Sequence, residues 1–365
     1  GAVLCIESQI SKETEEGYGG IPYPSVNFRN IQQMVDTSEF SDIHSENWVV
    51  IAVSGPPREG IYSFSKLKGW KTVAVGGYET PIDWNVSGII YLSPQIQATL
   101  PYRIIPHLPS NAFVRKSVGY LFAIHHGAKR IYDADENASV LEDDFIGAFD
   151  LELSGANSRR EPLLQYLSLT NRTCINPYIH FGQRSVWPRG LPLSLVGDID
   201  SEVAYGQVFS GKQFIQQGLS LGLPDVDSIF YHTRKSGIKP FVISFDRHAP
   251  PVALPQGTLA PLNSLNTLFH SAAFWGLMLP VSVSVKASDI LRGYWAQRLL
   301  WEIGGQLTVH PPSVYRLDTM SPPSYEDEKD MHKNVDRLME FLVSWRSKKS
   351  GIFQKALHLL IVSWF

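Results

Sequence analysis

Cysteine is almost missing from this 365-residue chain, with Cys5 and Cys174 the two thiols present. No disulfide framework can therefore hold the fold, and one bridge between them is neither required nor forbidden by spacing. A surplus of either charge is missing too. Lys and Arg number 32 against 35 Asp and Glu, the formal net charge is -3, and there is no long basic block. This excludes nucleic acid as the main partner, because phosphate backbones are held by clustered Lys and Arg. No apolar run reaches the roughly 20 residues of a helical membrane crossing, the terminal stretch from Ala356 to Phe365 included. The chain begins with Gly1 rather than Met, which leaves room for a targeting or membrane segment ahead of it. Also missing are a P-loop, a GxSxG elbow and an HExxH pair, the usual marks of an NTPase, a serine hydrolase and a zincin. The 11 histidines show no paired ligand spacing, and there is no internal repeat or low-complexity tract. What is present, 44% hydrophobic, 12% aromatic and 18% charged residues, describes a globular protein with material for one large core or two ordinary ones.

Residues 1–45 are polar, with Gly17, Gly19 and Gly20 between charged stretches, and read as a lead-in without chemistry. From Trp48 short apolar runs alternate with helical ones: Trp48 to Ser54, Ile61 to Lys68, Trp70 to Val75, then Ile89 to Leu92. That alternation predicts βαβ units and a parallel sheet. Arg115 to Gly127 has helical spacing, with Val118, Leu121, Phe122 and His125 on one face, and feeds into the apolar run Lys129 to Asp133. The second half is broken by Pro and Gly around Trp187 to Pro192, Gly222 to Pro224 and Ala249 to Pro251, loops that are candidates for an acceptor cleft. Helical patterns return at Tyr294 to Ile303 and Glu326 to Lys348. The expected division is a lead-in (1–45), an α/β body (46–320) and a helical extension (321–365).

One segment concentrates the chemistry. Arg130-Ile-Tyr-Asp-Ala-Asp-Glu-Asn137 delivers two carboxylates, Asp133 and Asp135, from a strand into a polar turn. Open α/β sheets bind ligands at such strand ends. Aspartate oxygens there suit Mg²⁺ or Mn²⁺ and a substrate diphosphate, though a capped turn uses the same residues. A diphosphate needs cations, and Arg115, Lys116 and the loop residue Arg189 are the candidates. Asp225 and Asp227 after Gly222-Leu-Pro224 read as a capping turn, and Glu142-Asp-Asp144 as a solvated face. Asp289 reads either as a helix N-cap or as a catalytic carboxylate acting on an acceptor hydroxyl or the sugar carbon. Asn85, Asn137 and Asn171 begin N-glycosylation sequons, which permits a secretory lumen, although a glycan on Asn137 would obstruct the proposed site.

The runs Asn171 to Thr173, Asn176 to Gly190, Gly211 to Gly218 and Arg292 to Gly305 closely resemble the plant STELLO proteins, and the resemblance extends from Trp48 onward. It implies the luminal glycosyltransferase-like domain of a Golgi membrane protein associated with cellulose synthase subunits, joined to the membrane through an anchor outside this chain. It further implies a GT-A type fold, a twisted and mostly parallel sheet with helices on both faces and a C-terminal helical extension. A Mn²⁺ or Mg²⁺ ion and a UDP-sugar donor, UDP-glucose first, belong to the same picture. In it Asp133 faces the ribose or metal, Asp135 binds metal, Arg115, Lys116 and Arg189 meet the diphosphate, and Asp289 is catalytic. The alternative is a nucleotide-binding scaffold for cellulose synthase with little turnover; a homo-oligomer is left open. A weaker resemblance runs to the reversibly glycosylated polypeptides, the UDP-arabinose mutases. Val196 stands where those carry their self-glycosylated arginine, which argues against mutase chemistry. Tyr315 stands in place of a metal-ligating His, leaving His310 as the candidate third ligand.

Overall fold

The computed structural model describes residues 40–141, 146–153, 162–167, 173–197, 204–237, 239–319 and 322–362. The first half runs β1 (Asn47–Val53), α1 (Ile61–Phe64), β2 (Lys71–Gly76), β3 (Ile89–Leu92), α2 (Pro94–Thr99), α3 (Ala112–His125), β4 (Arg130–Asp135) and β5 (Ala138–Val140). The middle holds β6 (Pro162–Leu167), β7 (Ala204–Phe209), β8 (Ile215–Gly222), α4 (Ser228–Arg234), β9 (Val252–Ala253) and β10 (Asn266–His270). Last come α5 (Val285–Glu302), β11 (Leu307–Arg316), α6 (Tyr325–Ser344) and α7 (Ile352–Val362). Among the described residues no helix is long and apolar enough to cross a membrane.

β1 shows why a sheet forms here. Its near-continuous apolar run sends Trp48 and Val50 into one core and Val49, Ile51 and Val53 into another, as strands buried on both faces require. α3 covers the first face with Val118 and Phe122, and α1 the second with Ile61 and Phe64. Asn111 starts α3, its side chain accepting from Phe113 N at 2.8 Å. The strand order is β3-β2-β1-β4-β10-β8-β11-β9-β6-β7, with β5 on β11. β3, β2, β1 and β4 are parallel, β10 enters antiparallel between β4 and β8, and β11 is parallel to β8. Most strands thus share one direction, as expected. The chain first winds outward from β1 through β2 to β3, then returns to place β4 on the other side of β1. The carboxyl ends of β1 and β4 therefore flank the point where the winding reverses, the place such sheets offer a ligand.

A third core joins α5 to the C-terminal helices: Ile290, Tyr294 and Leu299 pack with Met331, Val335, Met339, Leu342 and Leu359. Two expectations need correction. α5 begins at Val285, capped by Ser284, so Asp289 lies inside the helix and is not its N-cap. Most of α5 is buried, including Arg292, Gln297 and Arg298, so no one-sided pattern marked its first turns. The Pro- and Gly-rich middle also carries strands: β6 pairs antiparallel with β7 and parallel with β9.

Candidate functional site at the strand ends

Asp133 and Asp135 do end β4, in register with Val50 and Ala52 of β1. Their surroundings differ sharply. Asp133 is 0% exposed and lies between two cations, Lys116 Nζ 2.5 Å from Oδ1 and Arg292 Nη2 3.1 Å from Oδ2. Lys116 also donates to the carbonyls of Ala134 at 2.6 Å and Ser264 at 3.0 Å. Ser264 N in turn donates to Asp289 Oδ2 at 3.1 Å. Asp289 is held by Arg189, which reaches both its oxygens and, at 2.9 Å each, both oxygens of Asp225. Burial, the largest influence, raises the Asp289 carboxyl, but the Arg189 charge and hydrogen bonds, with Arg292 and Ser264 N, together hold the group below the usual carboxylate range. These residues form one buried, hydrogen-bonded array tying α3, β4, α5 and the loops that follow β6, β8 and β9.

Two glycines let the loops approach. Gly222 has φ +83°, and a Cβ there would lie 2.3 Å from the Arg316 carbonyl oxygen. Gly190 has φ +85°, and a Cβ would strike Ile290 of α5 at 2.4 Å. Only glycine fits at either place, and through them Asp225 and Arg189 are brought against α5.

At the solvent edge of the array Asp135 accepts from Arg316 Nε with Oδ2 and from Asn137 with Oδ1. Burial pushes its carboxyl up, and Arg316, with Asn137 and Lys116, more than offsets this, lowering it. The Arg316 side chain keeps 20% of its surface exposed and donates to the Leu223 carbonyl at 3.3 Å. Glu136, next in sequence, has no ion pair among the described residues. Ser54 at the end of β1 donates to it from N at 3.1 Å and Oγ at 2.5 Å, and burial nonetheless raises its carboxyl. Beside the array runs a small cleft lined by Tyr178, Gln217, Ser220, Asp225 and Asn263.

Several expected roles are thereby corrected. Arg115 points away from the acidic pair, its Nε donating to Gln97 at 2.7 Å. Lys116 and Arg189 are spent on buried carboxylates, and Asp289 orients Arg189, both of its oxygens being engaged. His310 sits on β11, bonded to the Ala148 carbonyl and Thr308, with β10 and β8 between it and β4. Three strand spacings of about 4.8 Å keep it from Asp133. Asn85 is exposed, Asn137 is half-buried on Asp135, and Asn171 and Glu142 to Asp144 lie outside the described residues. Sequence reasoning missed Arg292, Arg316 and Ser264. A signal existed for the first: Arg292 stands three residues after Asp289, on the same side of α5.

The divalent ion implied by the resemblance finds a partial fit. Asp133 is sealed and His310 is remote, but Asp135 is at the rim and already carries a cationic group, the Arg316 guanidinium, where an ion would sit. One carboxylate with diphosphate oxygens and water is a sufficient ligand set for Mg²⁺ or Mn²⁺.

A sheet of this order, covered on both faces and ending in an acidic rim at its reversal point, has the GT-A-like α/β architecture of glycosyltransferases. No family model matches the chain. It is 54% identical over 363 residues, 99% of its length, to a protein of Arabidopsis thaliana named probable glycosyltransferase STELLO2, of which it covers 47%. It is 53% identical over 360 residues, 98% of its length, to probable glycosyltransferase STELLO1 of the same plant, of which it covers 46%. The chain thus spans about half the length of the curated relatives it matches. It belongs to the STELLO family.

Proposed function

We propose that this chain is a glycosyltransferase domain whose nucleotide-sugar donor places its diphosphate at the Asp135–Arg316 rim. The observation that supports this most is the position of that pair: a buried carboxylate under a guanidinium that keeps a fifth of its surface in water, where the winding of the sheet reverses, with the rest of the array closed behind it. Arg316 is suited to exchange Asp135 for phosphate oxygens, which it can grip in the same planar fashion. A bound divalent ion would take up Asp135 and supply positive charge to the leaving diphosphate. Asp133, Lys116, Arg292, Arg189 and Asp289 keep the rim rigid and dry from behind. Glu136, held by Ser54 and in no ion pair among the described residues, is the carboxyl best placed to accept a proton from an acceptor hydroxyl. The choice of UDP-glucose, of Mn²⁺, of the Golgi lumen and of cellulose synthase as partner rests on the family resemblance.

Calorimetric titration with UDP-glucose, with Mn²⁺ and with a chelator, tests the reading. Binding should weaken at least about 10-fold on chelation and in Asp135→Ala. Equal affinity in all cases would sink the rim as donor site.

One observation favours a second reading. Asp133, Asp225 and Asp289 are all neutralised by ion pairs, so a donor could bind at the rim with little turnover, leaving the domain a scaffold. Release of labelled glucose from UDP-glucose, lost in Glu136→Gln but with donor binding intact, decides for the enzyme.

A further inference from the structure

Asp227, Glu328 and His332 meet at the joint between the sheet body and the C-terminal helices, and the strand-end site uses none of them. Asp227 caps α4, Oδ1 accepting from Ile229 N at 2.8 Å, as its place in a polar turn predicts. Its other oxygen lies 2.7 Å from His332 Nε2. Glu328, one turn earlier on α6, sets Oε2 3.7 Å from the same nitrogen. One ligand atom from each of the three lies within 4.8 Å of the others, and among the described residues no other His, Cys, Asp and Glu set does this.

Two features distinguish the trio from an acidic patch. The first is charge. Two carboxylates share a buried position with one imidazole, and the Arg189 charge that also reaches Glu328 is already spent on Asp225 and Asp289. Burial pushes the Glu328 carboxyl up, as expected where two carboxyls share one imidazole away from water. The second is unsatisfied oxygen. Ser228 is fully buried and turns its hydroxyl toward Glu328, yet its Oγ and Glu328 Oε1 both lack a formed hydrogen bond. Buried oxygens of this kind are what a cation satisfies.

The geometry points to a divalent-cation site of the zinc class, with Asp227, Glu328 and His332 as its protein ligands. Tetrahedral bonds of about 2.0–2.1 Å hold ligand atoms about 3.3 Å apart. The separations of 2.7 and 3.7 Å bracket that spacing. The ion enters by displacing the proton shared between His332 and Asp227, which leaves to solvent. An imidazole among the ligands favours Zn²⁺ over Mn²⁺ or Mg²⁺. The bound ion pins α6 to the start of α4, and so fixes the helical extension on the body.

The test is a titration of the full chain, freed of metal by a chelator, with Zn²⁺ alone and Mn²⁺ alone, followed by calorimetry and by melting temperature. We expect one equivalent of Zn²⁺, bound at least about 10-fold more tightly than Mn²⁺, and a melting temperature raised by a few degrees. Glu328→Gln, close to the native shape, should lower zinc affinity about 100-fold, while Asp135→Ala keeps the full equivalent. Absence of a saturable zinc equivalent in the unaltered chain overturns the proposal, whatever the variants do. Its disappearance in Asp135→Ala also overturns it, by assigning the ion to the strand-end rim.

Discussion

Replacing Lys116 by Met tests whether the cations of this array face a ligand or hold the fold. Met fills most of the volume of the stem and removes the charge. The ammonium is 1% exposed and serves Asp133, Ala134 and Ser264 at 2.5, 2.6 and 3.0 Å, so three buried acceptors lose a donor at once. Arg292 still holds Asp133 Oδ2 at 3.1 Å, which keeps the carboxylate partly compensated. Breaking one side of a buried pair costs about 3–5 kcal/mol, and the two carbonyls share in that loss instead of adding to it fully. With an unfolding entropy of about 2.1 cal/mol/K per residue, a chain of this length loses roughly 1–2 °C per kcal/mol, so melting should fall by roughly 4–7 °C. Urea unfolding and calorimetry on Lys116→Met measure both figures, and a parallel UDP titration measures binding. A loss below about 1 kcal/mol accompanied by a large fall in UDP affinity would refute the reasoning, since that is the signature of a phosphate ligand.

Acid sensitivity should come from two buried rings. Burial pushes His310 and His270 down to about 4, from an ordinary value of 6.5, although the carbonyls of Ala148 and Asp150 favour the charged form. The unfolded chain takes up these protons as pH drops below 6.5 and the folded chain does not, so stability is full above that pH and declines toward pH 4. Each ring accounts for about 3 kcal/mol by pH 4, and urea midpoints for His310→Gln should show about half of the decline that the unaltered chain shows. Gly119→Ala should destabilise by about 1–3 kcal/mol, because the added methyl meets Val50 and Val75 at 2.7 Å each, where α3 rests on the sheet; wild-type stability would show that α3 can lift without loss.

The first four strands were legible because each is a short apolar run bounded by polar residues, and burial on both faces leaves that signature in composition alone. β7 and β9 were not. β7 has no fully buried position and carries Gly and Gln in its middle, and β9 has two residues, so neither leaves an apolar run of strand length in the sequence. Asp133 and Asp135 were legible as a strand end, but their roles were not. Asp133 is matched by a residue 159 positions away and Asp135 by one 181 away, and no local spacing announces such partners. The same limit applies to Asp289. Its place beside Arg292 on α5 was readable, whereas its engagement by Arg189 depends on a loop 100 residues earlier that folds back through Gly190.

The array also explains why a site built from paired charges can still exchange one of them. Lys116, Asp133, Arg292, Asp289 and Arg189 are each nine-tenths or more buried, so removing any one leaves its partners uncompensated away from water. Those pairs are fixed by the cost of separating them. At the rim the balance changes, because the Arg316 side chain keeps a fifth of its surface in water and its release from Asp135 can be offset by solvent or by a phosphate. The same chemical contact, guanidinium on carboxylate, is therefore structural at Arg189 and exchangeable at Arg316, and burial alone separates the two. A donor diphosphate competing for Arg316 reaches it from the guanidinium's exposed side and needs to displace one carboxylate, while the closed pairs behind it preserve the shape against which it binds.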